Sequence, residues 1–113
     1  AVVVQTLAES SAAKWNMSHT TVIGCFDSPD SVNSMLLDEI SQEAEFKHRV
    51  AFLKVCDQFL RRVHGCDKDE SVLLLNMYYG ERVGHTGIFE MLRRIDGDAR
   101  ENLRKFIRKT GLP

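Results

Sequence analysis

Apolar residues recur at helical spacing along most of this chain. From residue 29 onward, Val32, Leu36, Ile40, Phe46, Val50, Leu53, Leu60 and Val63 fall three, four, six or seven apart, and Phe52, Cys56 and Phe59 widen the stripe. Ser28, Pro29 and Asp30 read as a cap, a first helical residue and a complement to the helix dipole. A break is expected at the polar run Ser41-Gln42-Glu43, and Gly65 is the expected stop. Val72, Leu73, Leu75, Met77, Tyr78 and Tyr79 predict a second, central helix, capped by Asp67 or Asp69 and ended by Gly80. Ile88, Phe89, Leu92 and Ile95 predict a third. Asp96-Gly97-Asp98 is a turn with a cap built in, and Leu103, Phe106 and Ile107 are the inner face of a last helix. One β-leaning run stands out, from Thr20 to Phe26. The pattern therefore predicts an all-α fold, a compact orthogonal bundle of four to six helices over residues 29–113. Residues 1–28 form an N-terminal arm with one short helix at most.

Composition narrows the class. A chain of 113 residues with 43% apolar and 27% charged residues is one ordinary globular domain. The net charge of −1 conceals an asymmetry, since residues 30–46 hold five acids and no base while residues 93–109 hold seven bases and three acids. Pairing between these two regions is one explanation of the basic helix; an acidic partner or nucleic-acid phosphates are others. Three cysteines, Cys25, Cys56 and Cys66, are an odd number at irregular spacing, which points to a reducing, intracellular setting, cytoplasmic or nuclear, rather than a disulfide framework. No apolar run reaches the roughly 20 residues that cross a bilayer.

Glu45-Phe46-Lys47-His48-Arg49-Val50-Ala51-Phe52-Leu53, followed by Leu75-Asn76-Met77-Tyr78-Tyr79 and the apolar residues Ile88 to Ile95, resembles the harmonin homology domain over residues 45–113. The resemblance implies a non-enzymatic scaffold or adaptor module that docks a partner's short amphipathic helix in an apolar groove. Residues 89–95 and 103–111 are also similar to the closing helices of a caspase-recruitment domain, which implies a death-fold module assembling with its own kind. The third alternative is nucleic-acid binding through the basic last helix.

Catalytic chemistry has no signature in the sequence, and neither cofactor nor metal is expected. Cys56, His64 and Cys66 lie within eleven residues, but Cys-x7-His-x-Cys is not a zinc-ligand spacing and lacks a fourth ligand. Asp38-Glu39 reads as a solvated helix face. Gly80, Gly84 and Gly87 follow a helix with no lysine after them, unlike a phosphate loop. The expected partner is an amphipathic helical segment of another protein. Its groove would use Val72, Leu75, Tyr79, Ile88, Met91 and Leu92, flanked by Arg94, Arg104, Lys105 and Arg108.

Overall fold

The computed structural model of the chain describes residues 2–6, 20–75, 82–87 and 98–111. They form a five-stranded mixed sheet with helices on both faces, so the all-α expectation is overturned. In chain order the elements are β1 (Val2–Val4), β2 (Thr21–Cys25), α1 (Val32–Ser41), β3 (Ala51–Val55), α2 (Gln58–Val63), β4 (Ser71–Leu75), β5 (Arg82–Gly87) and α3 (Ala99–Gly111). The strand order is β1-β3-β2-β4-β5. Strands β1 and β2 both run parallel to β3, while β4 runs antiparallel to β2 and to β5.

The two strands read as helix, β3 and β4, share one property: they are covered on both faces. In β4, Val72 and Leu74 enter one core cluster with Val22, Phe52, Leu37 and Ile40 of α1, and Leu103 and Ile107 of α3. Leu73 and Leu75 enter the opposite cluster with Ile23, Cys25, Leu53, Val55 and Leu60 of α2. A strand buried on both sides shows a continuous apolar run instead of alternation, and its period does not distinguish it from a buried helix. Ala51–Val55 is the same case. The single polar side chain inside it, Lys54, is only 5% exposed.

Some punctuation falls where the sequence places it. Helix α1 ends at Ser41 with Gln42 as its C-cap, at the expected break. Its start is three residues later than expected: Ser31 is the N-cap, with its hydroxyl accepting from the Ser34 amide at 3.2 Å, and Ser28 instead closes a turn by accepting from the Asp30 amide. Gly65 follows the His64 cap of α2 at φ 75°, a conformation that favours glycine. Asp98 caps α3 by accepting from the Glu101 amide at 2.8 Å. The expected arm also contributes to the sheet. β1 pairs with β3, β2 lies at the sheet's centre, and the boundary between residues 28 and 29 falls in the β2–α1 loop.

Gly24 in β2 has a packing reason. A Cβ there would meet Leu37 Cδ2 at 2.6 Å and Phe26 Cζ at 2.7 Å, both in side chains with no exposed surface. Gly24→Val should therefore lower stability by about 2–3 kcal/mol, through overpacking between β2 and α1. Urea unfolding checks this, and a loss below about 0.5 kcal/mol would show that α1 can shift freely.

Candidate redox site

The chemistry-bearing residues gather where β2 and β3 finish. Cys25 is the last residue of β2, and Cys66 lies in the turn after α2; they form a disulfide across 41 positions of sequence, with a Cα–Cα distance of 6.3 Å. Both are buried, Cys25 fully and Cys66 to 4% exposure. Cys56, the third cysteine, is a free thiol one residue beyond β3. It packs against the first cluster, on the face away from the disulfide. Burial, the largest influence on it, pushes its thiol pKa up, against the smaller opposing pull of Lys54 and Arg61.

Three polar side chains fasten the β2–α1 loop to its neighbours. Lys54 Nζ donates to Pro29 O at 2.9 Å and pairs with Asp38 Oδ2 at 2.7 Å. Glu70, just before β4, accepts from the Asp27 amide at 3.3 Å and from Asn33 Nδ2 at 2.6 Å. Arg61 of α2, 4% exposed, donates from its guanidinium to Asp27 Oδ1 at 2.9 Å and from Nε to Cys66 O at 3.3 Å. The loop itself, Asp27-Ser28-Pro29-Asp30-Ser31, contains no cysteine. Beside Cys66 opens a cleft of about 390 Å³, lined by Gly65, Asp67, Asp69, Glu70 and His85 among others.

The residues expected to line a groove do not form one among the described residues. Val72 and Leu75 are both buried in β4 and belong to opposite core clusters. Tyr79, Ile88, Met91, Leu92 and Arg94 lie outside the described residues. On α3, Lys105 is exposed, while Arg104 pairs with Glu43 at 2.7 Å and Glu101 at 3.1 Å, and Arg108 with Glu45 at 2.5 Å. Arg100 pairs with Glu39 at 2.7 Å. The basic helix is thus matched to the acidic segment of its own chain, and this is the correction to its reading as a nucleic-acid surface. The trio Cys56, His64 and Cys66 is likewise no ligand set, because Cys66 is bonded to Cys25. Among the described residues no group of three or more His, Cys, Asp or Glu is placed to hold a metal ion. No described helix is long and apolar enough to cross a membrane.

The ion-pair ladder has a pH signature. Hydrogen bonds from Arg104 and Arg108 hold the carboxyls of Glu43 and Glu45 below their ordinary value of 4.5. A carboxyl depressed in the folded state contributes stability above its unfolded pKa and loses it as pH falls through the folded one. Glu43→Gln with Glu45→Gln should therefore flatten the loss of stability on acidification from about pH 5 downward, with a small effect at neutral pH because the pairs are partly solvated. Urea midpoints measured across that range check it; unchanged acid sensitivity would show that the ladder is electrostatically idle.

What sequence reading missed was the meeting of Cys25 with Cys66. No spacing rule links cysteines 41 positions apart. The usable signal was local: a β-leaning run, Thr20 to Phe26, that holds a cysteine near its end and is followed by Asp-Ser-Pro-Asp and a helix is a strand–loop–helix unit.

No known protein family's sequence profile matches the chain, and no curated protein matches it. Solved structures do. A mutant thioredoxin from Halobacterium salinarum NRC-1 superposes with a TM-score of 0.69 at 13% identity, over 99% of this chain and 91% of that one. The Malassezia sympodialis thioredoxin, described as a member of a pan-allergen family, gives 0.59 at 12% identity, over 75% of this chain and 78% of that one. The J-Trx1 fragment of ERdj5 gives 0.60 at 16% identity; 96% of this chain matches half of that one. These likenesses overturn the resemblance to the harmonin homology domain and, with it, the helical docking module and its death-fold alternative. At such low identity they show architecture and nothing finer: the chain has the thioredoxin fold.

Proposed function

We propose that the chain works in thiol–disulfide chemistry, as an oxidoreductase-type protein whose redox couple is Cys25–Cys66. This replaces the expectation of a non-enzymatic module. The observation behind it is the meeting of two cysteines distant in sequence at the carboxyl end of β2. In open α/β sheets, ligands gather outside the carboxyl ends of the strands. An incoming thiolate, approaching through the cleft beside Cys66, attacks Cys66 Sγ. The Cys25–Cys66 bond breaks, a mixed disulfide forms on Cys66, and Cys25 leaves as a thiolate. A second external thiolate then attacks the mixed disulfide, leaving the pair reduced and the two external sulfurs joined. The reverse sequence oxidises a dithiol pair at the expense of a small disulfide. An intracellular setting belongs to this proposal, because a cycling pair needs a thiol pool able both to open and to close it.

Burial favours a second reading, a permanent cross-link, since sulfurs with almost no exposed surface exchange slowly. Equilibration in graded mixtures of reduced and oxidised glutathione, followed by alkylation and mass measurement, separates the two. A working couple titrates between one and three alkylated cysteines while the protein stays folded. A pair that remains oxidised in every mixture, and opens only when the chain unfolds, would end the redox reading.

A further inference from the structure

Resting on the redox reading, we infer that Arg61 is the positioning residue of the Cys25–Cys66 couple: with the disulfide open, its guanidinium keeps Cys66 beside the end of β2, ready to reclose. The tether can be followed bond by bond. Phe26, next to Cys25, is fixed to the sheet by its amide, which donates to Val55 O at 3.0 Å. Asp27 follows and accepts from the Arg61 guanidinium at 2.9 Å. Arg61 Nε donates to Cys66 O at 3.3 Å, and the Cys66 amide donates back to Arg61 O at 2.9 Å. Cys66 is therefore held at both its backbone groups by one residue, and that residue is anchored two positions from Cys25. None of these bonds involves the sulfur–sulfur bond, so all of them can outlast its reduction.

The position uses arginine chemistry. The guanidinium is planar and presents donors in several directions, so it spans a carbonyl on one side and a carboxylate on the other; a lysine ammonium at the same site could not match that fork. Its side chain is 5% exposed while Asp27 is 77% exposed, so the tether reaches from the interior to the loop surface. Sulfur also gains a partner on reduction. Cys66 Sγ lies 3.4 Å from Arg61 O, and the free thiol can donate to that carbonyl where the disulfide cannot. The reduced form is thus held in nearly the oxidised geometry, which raises the effective concentration of one sulfur at the other.

Closure is where this shows. When oxidised glutathione meets the reduced protein, Cys66 thiolate first takes a glutathionyl group and releases one glutathione thiolate. Cys25 thiolate then attacks Cys66 Sγ, forming the intramolecular disulfide and releasing the second glutathione thiolate. The tether acts on the second step only. Rapid mixing with acid quench and mass spectrometry resolves both steps in the full chain. Arg61→Met should slow closure about tenfold, the equivalent of losing a hydrogen-bonded charge contact, while formation of the mixed disulfide stays equal or becomes faster. Arg61→Lys should fall between the two. If Arg61→Met does not fold, Asp27→Ala cuts the same tether at an exposed residue and should slow closure in the same direction. Closure within about twofold of wild type in the folded variants would overturn the inference, because a lost charged contact should exceed that. A wild-type pair that glutathione never opens would instead overturn the redox reading, which keeps the two failures distinct.

Discussion

Removing the cross-link, by Cys25→Ala with Cys66→Ala, is expected to lower stability by ~4 kcal/mol, about what a closed loop of this length withholds from the unfolded chain as entropy. The basis is the 41-residue separation between the cysteines. Alanine is the better replacement, since Cys25 has no exposed surface and a serine hydroxyl there would need a buried partner. Urea unfolding of the oxidised protein, the reduced protein and the double variant measures the effect. Reduced wild type and the double variant should resemble each other, and the oxidised protein should show the lower m-value, because a cross-linked unfolded chain exposes less surface. A difference below about 1 kcal/mol would mean that the reduced chain keeps its unfolded ensemble compact by other means.

Asp38→Ala is expected to cost about 3 kcal/mol, whereas Lys54→Met should change stability by less than about 1 kcal/mol. The asymmetry follows from burial. Lys54 has a side chain 6% exposed and Asp38 one 39% exposed. Deleting the acid leaves an ammonium in the first core cluster's layer with Pro29 O as the remaining acceptor described for it. The partial exposure of Asp38 places the cost toward the low end for a buried pair. Replacing the lysine with methionine removes the buried charge, keeps the length of the stem and leaves a carboxylate that water can reach. Denaturant midpoints for both variants and for the double variant test this; equal losses for the two single changes would show that the pair acts by shape and not by charge.

Terminal punctuation was legible from sequence because it depends on one or two residues each. Gly65 as a stop, Asp98 as a cap, the break after Ser41 and the inner face of α3 at Leu103 and Ile107 all have local causes. Fold class was not legible, because it turned on β3 and β4. Both are five-residue, largely apolar strands with both faces covered, and Phe52 and Leu53 fitted a helical stripe only because neighbours on opposite sheet faces are both apolar. The β-leaning run from Thr20 to Phe26 was the one fair warning, and it proved to be the central strand. The Cys25–Cys66 site was invisible for a different reason. Cys25, Arg61 and Cys66 converge through parallel and antiparallel pairings with β2, and such non-local register leaves no trace in spacing.

The ladder joining Glu39, Glu43 and Glu45 to Arg100, Arg104 and Arg108 spans 61 to 63 positions of sequence. Its acids are therefore synthesised well before its bases. Until α3 emerges from the ribosome, the carboxylates repel one another uncompensated, and the sheet face around Val22, Phe52, Val72 and Leu74 lacks the cover of Leu103 and Ile107. Both cysteines of the disulfide precede that point, so the β2–β4 region can be stapled on the nascent chain while one side of its sheet is still bare. A chain ended at residue 98 should therefore leave that apolar face uncovered and bind a hydrophobic dye that the full chain does not.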